Sequence, residues 1–138
     1  MEWVAVVVLL AVIEYLWFGI LVGKVRERYS LPAPAITGNE MFERYFRVQQ
    51  NTLELLPLFI PAIYVFARYL SPFWAAGIGA VFLLGRAVYA AGYIKDPKQR
   101  SVGFGLSALP ILILLAGGLF GALRAIVIMA GVLIAGAG

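Results

Sequence analysis

The chain of 138 residues is 63% hydrophobic and 13% charged, with a mean hydropathy of +0.95, whereas soluble domains are about 45–50% apolar and about 25% charged. This composition excludes an ordinary soluble domain and predicts one membrane domain, residues 1–138. The chain has no cysteine and no histidine, which excludes disulfides, thiol nucleophiles and the usual zinc sites and removes the commonest general base. Its net charge of +4 does not indicate nucleic-acid binding, because the basic residues lie at the ends of apolar runs, as is typical of membrane orientation.

The first apolar run, residues 3–22, has Glu14 as its only charged residue. It is long enough to cross about 30 Å of hydrocarbon as a helix. We do not expect it to be a cleaved signal peptide, because it lacks a basic leading region and Glu2 is acidic. For Glu14 we predict a structural role, in which it bonds to a polar group of a neighbouring helix.

The second span has to include polar residues to reach its full length. Residues 24–40 contain two prolines and a glycine, which predict a loop, and Thr37 or Asn39 can cap the helix that follows. The next apolar run, residues 55–67, is too short to cross the membrane. The required length of about 20 residues places the second span at residues 48–68, with two prolines inside it.

A stripe of polar side chains enters the membrane with this helix. Spacings of 3, 4 and 3 residues put four polar side chains on one helical face: Arg44, Arg47, Asn51 and Glu54. Ionisable groups inside a membrane usually face a bundle interior or a wet cavity and mark functional sites, so we predict a ligand site here. The alternative is an ion pair between Arg47 and Glu54 within the bundle. For Arg44 a second alternative is a lipid-facing group that snorkels or binds lipid phosphate.

The third span, residues 73–94, is interrupted by Arg86 about 20 Å from its outer end, at 1.5 Å per residue. A guanidinium at that depth needs a partner, and Glu54 or Glu14 is expected to supply it. The same face carries two tyrosines as candidate ligand contacts, Tyr89 and Tyr93. An aromatic belt at the membrane interface is the alternative explanation for them.

A short polar loop, residues 95–100, leads into the fourth span, residues 102–123. Ser101 is expected to cap this helix. Arg100 together with the amides of a helix start makes a candidate anion site, and a cap beside an interface charge is the alternative. The apolar tail, residues 125–138, can continue the helix.

Basic residues are distributed unequally between the two sides of these spans. Arg68 and Arg124 lie on one side, and eight lie on the other: Lys24, Arg26, Arg28, Arg44, Arg47, Lys95, Lys98 and Arg100. This bias places the second side in the cytoplasm and both termini opposite it, in a bacterial inner membrane or an ER-type membrane. The predicted fold is an all-α integral membrane four-helix bundle, with a cytoplasmic-side site for a small zwitterionic or multiply anionic ligand.

Two stretches resemble signatures of a known family. FERYFRVQQNTLELLPLF, residues 42–59, resembles the second-helix signature of the MAPEG family (membrane-associated proteins in eicosanoid and glutathione metabolism). Residues 85–101, in which Gly85 is followed by RAVYAAGYIKDPKQRS, are similar to the third-helix and loop signature of its microsomal glutathione transferases. The resemblance covers the chain from the first span to the start of the fourth helix.

This resemblance implies a homotrimer with glutathione bound between neighbouring subunits near the cytoplasmic face. Six residues match glutathione-contacting positions: Arg47, Asn51, Glu54, Arg86, Tyr89 and Tyr93. In the family pattern Glu54 receives the amino group of the tripeptide, the arginines take its carboxylates, and the tyrosines take backbone or thiol-side groups. Arg26 and Gln49 match positions that the neighbouring subunit contributes. Arg100 matches the arginine that stabilises the glutathione thiolate, and Ser101 matches a serine of the prostaglandin-synthase branch.

The implied activity is a membrane-bound glutathione transferase or glutathione-dependent peroxidase, with glutathione as cosubstrate and an apolar electrophile as second substrate. Leu55 replaces a tyrosine of the leukotriene synthase, and Gln49 and Gln50 replace a His-Arg pair of the prostaglandin synthase, which argues against those specialised activities. Two other hypotheses are a non-catalytic lipid- or ligand-binding membrane protein and a small transporter. The sequence does not name the electrophile or separate conjugation from detoxifying peroxidase activity.

Overall fold

Four long helices form the part of the chain that the structure, a computed structural model, describes: residues 1–135. They are α1 (Glu2–Arg28), α2 (Glu40–Tyr69), α3 (Pro72–Lys95) and α4 (Arg100–Ala135), and a 3₁₀ turn at Pro97–Gln99 precedes α4. Each is long and apolar enough to cross a membrane, and these residues contain no strand. The predicted all-α fold with four membrane-length helices is confirmed.

Polar side chains determine where two of the helices begin. Asn39 accepts a hydrogen bond from the backbone N–H of Phe42 at 3.1 Å and so caps α2, as one of the two predicted candidates. Ser71 accepts from the N–H of Trp74 at 3.4 Å and caps α3. The prediction that Ser101 caps α4 is wrong, because the 3₁₀ turn brings the helix start forward to Arg100 and leaves Ser101 inside the helix.

All four predicted spans lie within helices that extend beyond them. α2 begins at Glu40, eight residues ahead of the predicted span, and continues through Pro57 and Pro61 to Tyr69. α4 includes most of the apolar tail and ends at Ala135, and residues 136–138 lie outside the described part of the chain. The positions of the membrane boundaries along these helices stay a prediction.

The helices α2 and α3 form the centre of the bundle. Both pack against each other, against α1 on one side and against α4 on the other. The rings of Phe59 and Phe82 stack with centroids 4.0 Å apart in a core that also buries Ile63 and Leu114. Many outward-facing side chains of α1 and α4 are large and apolar, as suits surfaces that contact lipid or another subunit.

Two glycines allow α3 and α4 to approach closely near the 3₁₀ turn. A Cβ atom on Gly103 would lie 2.2 Å from the backbone nitrogen of Tyr89, and one on Gly85 would lie 2.6 Å from the carbonyl carbon of Leu106. Small residues at such positions let membrane helices pack backbone to backbone. This contact places the first turns of α4 directly beside the polar end of α3.

Candidate functional site

A pocket of about 580 Å³ lies where the first half of α2, the end of α3 and the start of α4 meet. Its lining residues are Arg47, Asn51, Glu54, Tyr89, Tyr93, Arg100, Ser101, Phe104 and Gly105. Seven of these nine residues were predicted as site residues, although they come from three helices. Phe104 and Gly105 were missed, and continuing the face of α4 by one turn from Arg100 and Ser101 would have found them.

Opposite charges line this pocket without neutralising each other. The side chains of Arg47, Glu54 and Arg100 are exposed, and none of them forms an ion pair with any residue of the described chain. The alternative prediction, an ion pair between Arg47 and Glu54, is therefore not realised. Asn51 donates a long hydrogen bond of 3.4 Å to Glu54. Two available guanidinium groups and one carboxylate are chemically suited to a ligand that carries both signs of charge.

Arg86 lies behind the wall of the pocket and not at its surface. Its side chain is fully buried and is not among the lining residues. Nη1 donates to Asn51 Oδ1 at 3.1 Å and Nη2 donates to Thr52 Oγ1 at 2.8 Å. The guanidinium carbon also lies 4.3 Å from the ring centroid of Tyr89. Arg86 thus holds two side chains that line the pocket, Asn51 and Tyr89, from the core side.

The partners of Arg86 differ from the predicted carboxylates. Neither Glu54 nor Glu14 forms an ion pair with it, and within residues 1–135 Glu14 also lacks the predicted hydrogen bond to a neighbouring helix. Thr52, which the sequence reasoning missed, accepts from Arg86 and donates its own proton to the carbonyl oxygen of Val48 at 2.7 Å. The signal was present, because Thr52 is the polar member of the otherwise apolar buried stripe of α2.

The two tyrosines of α3 stack on one another with ring centroids 5.5 Å apart. Tyr89 is 3% exposed and packs with Phe18 and Val48 in the bundle, whereas Tyr93 is half-buried. A residue buried in this way does not belong to an aromatic belt at the membrane surface. The tyrosines therefore form one wall of the pocket.

Arg44, the first member of the predicted polar stripe, lies outside this pocket. Its Nη1 donates to the carbonyl oxygens of Ile94 and Lys95, both at 3.0 Å, and its Nη2 pairs with Glu40. The guanidinium is thus bound by the protein itself, which differs from the lipid-facing alternative. It lines an adjoining cavity that shares Arg47 and Tyr93 with this pocket, so its place in the ligand wall stays a prediction.

The two residues expected to act on a neighbouring subunit also lie outside the pocket of their own chain. Arg26 donates to the carbonyl oxygen of Ala35 at 2.8 Å and lies over the ring of Phe42. The amide of Gln49 packs against Gly19 of α1. Their contribution to a neighbouring site stays a prediction.

The pocket does not contain the donor set of a metal centre. Across residues 1–135 no group of three or more histidine, cysteine, aspartate or glutamate side chains is placed to hold a metal ion. The polar groups that line the pocket are guanidinium, carboxylate, amide and hydroxyl groups.

Comparisons with known proteins match almost the whole chain. The family model described as the MAPEG family matches residues 4–120. Human microsomal glutathione S-transferase 2 is 41% identical over 119 residues, which cover 86% of this chain and 79% of the relative. An uncharacterized protein of Synechocystis sp. is 49% identical over 117 residues, 85% of each chain. Leukotriene C4 synthase of Cavia porcellus is 34% identical over 112 residues, 81% of this chain and 75% of the relative.

Proposed function

The chain belongs to the MAPEG family, and from that premise we propose that it is a membrane-bound glutathione transferase acting on apolar electrophiles. The relatives named microsomal glutathione S-transferase and leukotriene C4 synthase support a glutathione-dependent enzyme of a multi-pass membrane type. The observation that carries the proposal is the pocket in which Arg47, Glu54 and Arg100 lie without an ion-pair partner in the described chain.

The charges of glutathione are complementary to the charged side chains that line this pocket. It carries two carboxylates and one ammonium group, so Glu54 takes the ammonium and Arg47 takes a carboxylate, while Asn51 bonds to the peptide backbone. Charge-assisted hydrogen bonds of this kind are about twice as strong as neutral ones. In this proposal Arg86 acts from the core side by holding Asn51 and Tyr89, and any direct contact with glutathione requires the ligand to reach behind these two side chains.

The chemical step needs the thiolate form of glutathione. A free thiol has a pKa of about 8.5, and the thiolate is the nucleophile. A neighbouring positive charge lowers a thiol pKa by about 1–3 units. Arg100 supplies this charge at the start of α4, where the helix dipole adds to it. Ser101, in the next position, is the candidate hydrogen-bond donor to sulfur.

Two reactions are open to this thiolate. In conjugation the sulfur attacks an electrophilic carbon, a C–S bond forms, and the leaving group departs with its electron pair. In the peroxidase reaction the sulfur attacks a peroxide oxygen, the O–O bond breaks to give an alcohol, and a second glutathione then releases water and forms the disulfide. Phe104 and Gly105, one turn deeper along α4 than Arg100, give the apolar substrate a place beside the sulfur.

The test measures turnover and glutathione binding separately. The purified protein is expected to conjugate glutathione to 1-chloro-2,4-dinitrobenzene or to reduce cumene hydroperoxide, and mixing it with glutathione is expected to produce thiolate absorbance near 239 nm. Arg100→Ala should lower the rate at neutral pH by up to about tenfold for each unit by which the thiol pKa rises. Its affinity for glutathione should be largely retained.

Arg124→Ala is the matched control, because Arg124 is an exposed arginine of the same helix near its other end. This variant should keep the wild-type rate. Tight glutathione binding without turnover of any electrophile would rule out the enzyme.

A further inference from the structure

Arg44 connects the start of α2 to the end of α3. Its Nη1 lies 3.0 Å from the carbonyl oxygens of both Ile94 and Lys95, and its Nη2 pairs with Glu40 one turn earlier in α2. The last carbonyl groups of a helix have no partner within the helix. Arg44 supplies one with a full positive charge, which the negative end of the α3 dipole also favours. The contact therefore determines where α3 ends relative to α2.

The backbone after this contact follows a tightly bonded path to Arg100. The N–H of Asp96 donates to the carbonyl of Gly92 at 2.9 Å, and the side chain of Asp96 accepts from the N–H of Lys98 at 3.0 Å. The N–H of Gln99 donates to the carbonyl of Asp96 at 2.9 Å. A Cβ atom on Gly92 would lie 3.0 Å from the carbonyl oxygen of Gln99, so the turn rests directly on α3. The next residue in the chain is Arg100.

Arg100 itself is held only through this turn and the helix that follows it. Its side chain is exposed and makes no hydrogen bond within the described chain. A long side chain of this kind has many rotamers, and its charge acts on a thiol only when its Cα is correctly placed. The position of the Arg100 backbone relative to the α2 wall of the pocket therefore depends on the bonds that join α2 to the end of α3, together with the contact of Gly103 with Tyr89.

We propose, on the basis of the proposed function, that Arg44 is a positioning residue for Arg100: by holding the carbonyl groups of Ile94 and Lys95 it places the turn that carries the thiolate-stabilising guanidinium. Arg44 is not among the residues that line the pocket; it lines an adjoining cavity that shares Arg47 and Tyr93 with it. Its influence on the reaction acts through the backbone of residues 96–99. Loss of Arg44 is therefore expected to weaken stabilisation of the thiolate more than binding of glutathione.

The primary test is the pH dependence of the thiolate in the Arg44→Leu variant. Thiolate absorbance of bound glutathione should titrate at a higher pH than in the wild type, moving towards the value of about 8.5 of a free thiol. The rate at neutral pH should fall by up to about tenfold per unit of that shift and should recover towards the wild-type rate at alkaline pH. Glutathione affinity should change little. Hydrogen exchange of the backbone amides of residue 96 and residues 98–101 should accelerate without glutathione present.

Two milder variants keep the test decisive if Arg44→Leu does not fold. Arg44→Lys retains the charge but loses the planar guanidinium. Glu40→Gln weakens the ion pair that holds Nη2 of Arg44. Both variants should raise the pH at which the thiolate titrates, by a smaller amount than Arg44→Leu. Arg28→Leu is the control, because Arg28 is an exposed arginine at the end of α1 that forms no hydrogen bond or ion pair with the turn in the described chain. It should leave exchange and titration unchanged.

Each contrary result has its own meaning. If exchange accelerates but the thiolate titration of the Arg44 variants matches that of the wild type, Arg44 has no positioning role while the proposed function stands. A rate that falls equally at every pH with the thiolate intact also overturns the positioning role. If the wild type forms no thiolate and turns over no electrophile, the proposed function and this inference both fail.

Discussion

At the scale of single residues, burial distinguishes two kinds of arginine in this chain. Arg86 is fully buried and bonded to neutral oxygens of Asn51 and Thr52, whereas Arg47 and Arg100 are exposed within one pocket. A buried guanidinium without hydrogen-bond partners would be strongly destabilising. Arg86 is consequently bound by the protein through Nη1 and Nη2, whereas the other two arginines are available to bind a ligand; a direct contact of Arg86 with glutathione stays a prediction.

Thr52→Val should destabilise the bundle by removing one of the hydrogen bonds of Arg86. We expect the free energy of unfolding in detergent to fall by about 1–2 kcal/mol, since interhelical hydrogen bonds in membranes contribute up to about 1.7 kcal/mol and a buried unpaired group costs about 1–3 kcal/mol. Glutathione affinity should also fall, because Asn51 shares the same guanidinium. Chemical unfolding and equilibrium binding are the measurements.

Ser107→Ala is the matched control for this prediction. Ser107 is equally buried, but its hydroxyl donates to the carbonyl of Gly103 within its own helix. Its removal should affect stability less than Thr52→Val and should leave the hydrogen bonds of Arg86 intact. Equal losses from the two substitutions would contradict the role assigned to the Thr52–Arg86 bond.

At the scale of elements, the close contact of α3 with α4 assembles the site. The approach at Gly85 and Gly103 brings the first turns of α4 beside Tyr89. α2 then supplies the remaining wall, because spacings of 4 and 3 residues keep Arg47, Asn51 and Glu54 on one face. The pocket therefore depends on helix packing that no single helix specifies.

Gly103→Ala should separate these two helices. The added methyl group would lie 2.2 Å from the backbone nitrogen of Tyr89, and overpacking of this kind costs about 1–3 kcal/mol. The thermal unfolding midpoint in detergent should fall, with weaker glutathione binding. Gly105→Ala, in the same helix, adds a methyl group that meets nothing within 4 Å and should leave the midpoint unchanged or slightly higher. Similar midpoints for the two variants would show that the contact between Gly103 and Tyr89 does not require a glycine.

At the scale of the whole molecule, a single chain leaves a charged side chain of its pocket uncovered within the predicted second span. Glu54 lies six residues into the predicted second span, about 9 Å along the helix axis, and its side chain is exposed. Ionised groups that face hydrocarbon are destabilising by roughly 2.5–3.5 kcal/mol. Coverage of this face by another copy of the chain would remove that cost, which supports the homotrimer that the family resemblance implies.

We therefore predict that native mass spectrometry in detergent will detect three chains per particle, with sites shared between neighbours. Arg26→Ala and Arg100→Ala should each be poorly active alone. Coexpression should restore part of the activity, because some mixed trimers combine an intact Arg100 with an intact Arg26 of the neighbouring subunit. Mixing the two proteins after purification, without subunit exchange, is the control. A monomeric active enzyme, or no recovery in mixed trimers, would contradict the shared site.

Much of the fold and of the candidate site could be predicted because both depend on local periodicity. The length of an apolar run determines whether a helix can span, and the need for about 20 residues extended the second span into its polar stretch. Helical spacing then grouped Arg47, Asn51 and Glu54, and separately Tyr89 with Tyr93. The side of the membrane on which the pocket opens stays a prediction from the distribution of basic residues.

The errors share a physical cause. Ser101 was predicted as a helix cap, but α4 already starts at Arg100. That start depends on the backbone path of residues 96–99, which bonds to Gly92 and Asp96 hold and which helical periodicity does not predict. A charged partner was expected for Arg86 because charge pairing is the most general rule for buried ions. Two neutral oxygens accept hydrogen bonds from Nη1 and Nη2 instead, on the helix face that packing turned towards Arg86, while its buried Nε has no hydrogen-bond partner in the described chain.

The sequence by itself determined the four helices, their membrane character and the residues that share each polar face, because hydrophobic length and a period of 3.6 residues are properties of a single segment. Only the tertiary structure decided which faces meet. It turned Arg86 towards Asn51 and Thr52, turned Arg44 towards the end of α3, and brought Arg100 to the same pocket as Glu54. These pairings depend on the close packing of separate helices, which periodicity along one helix does not specify.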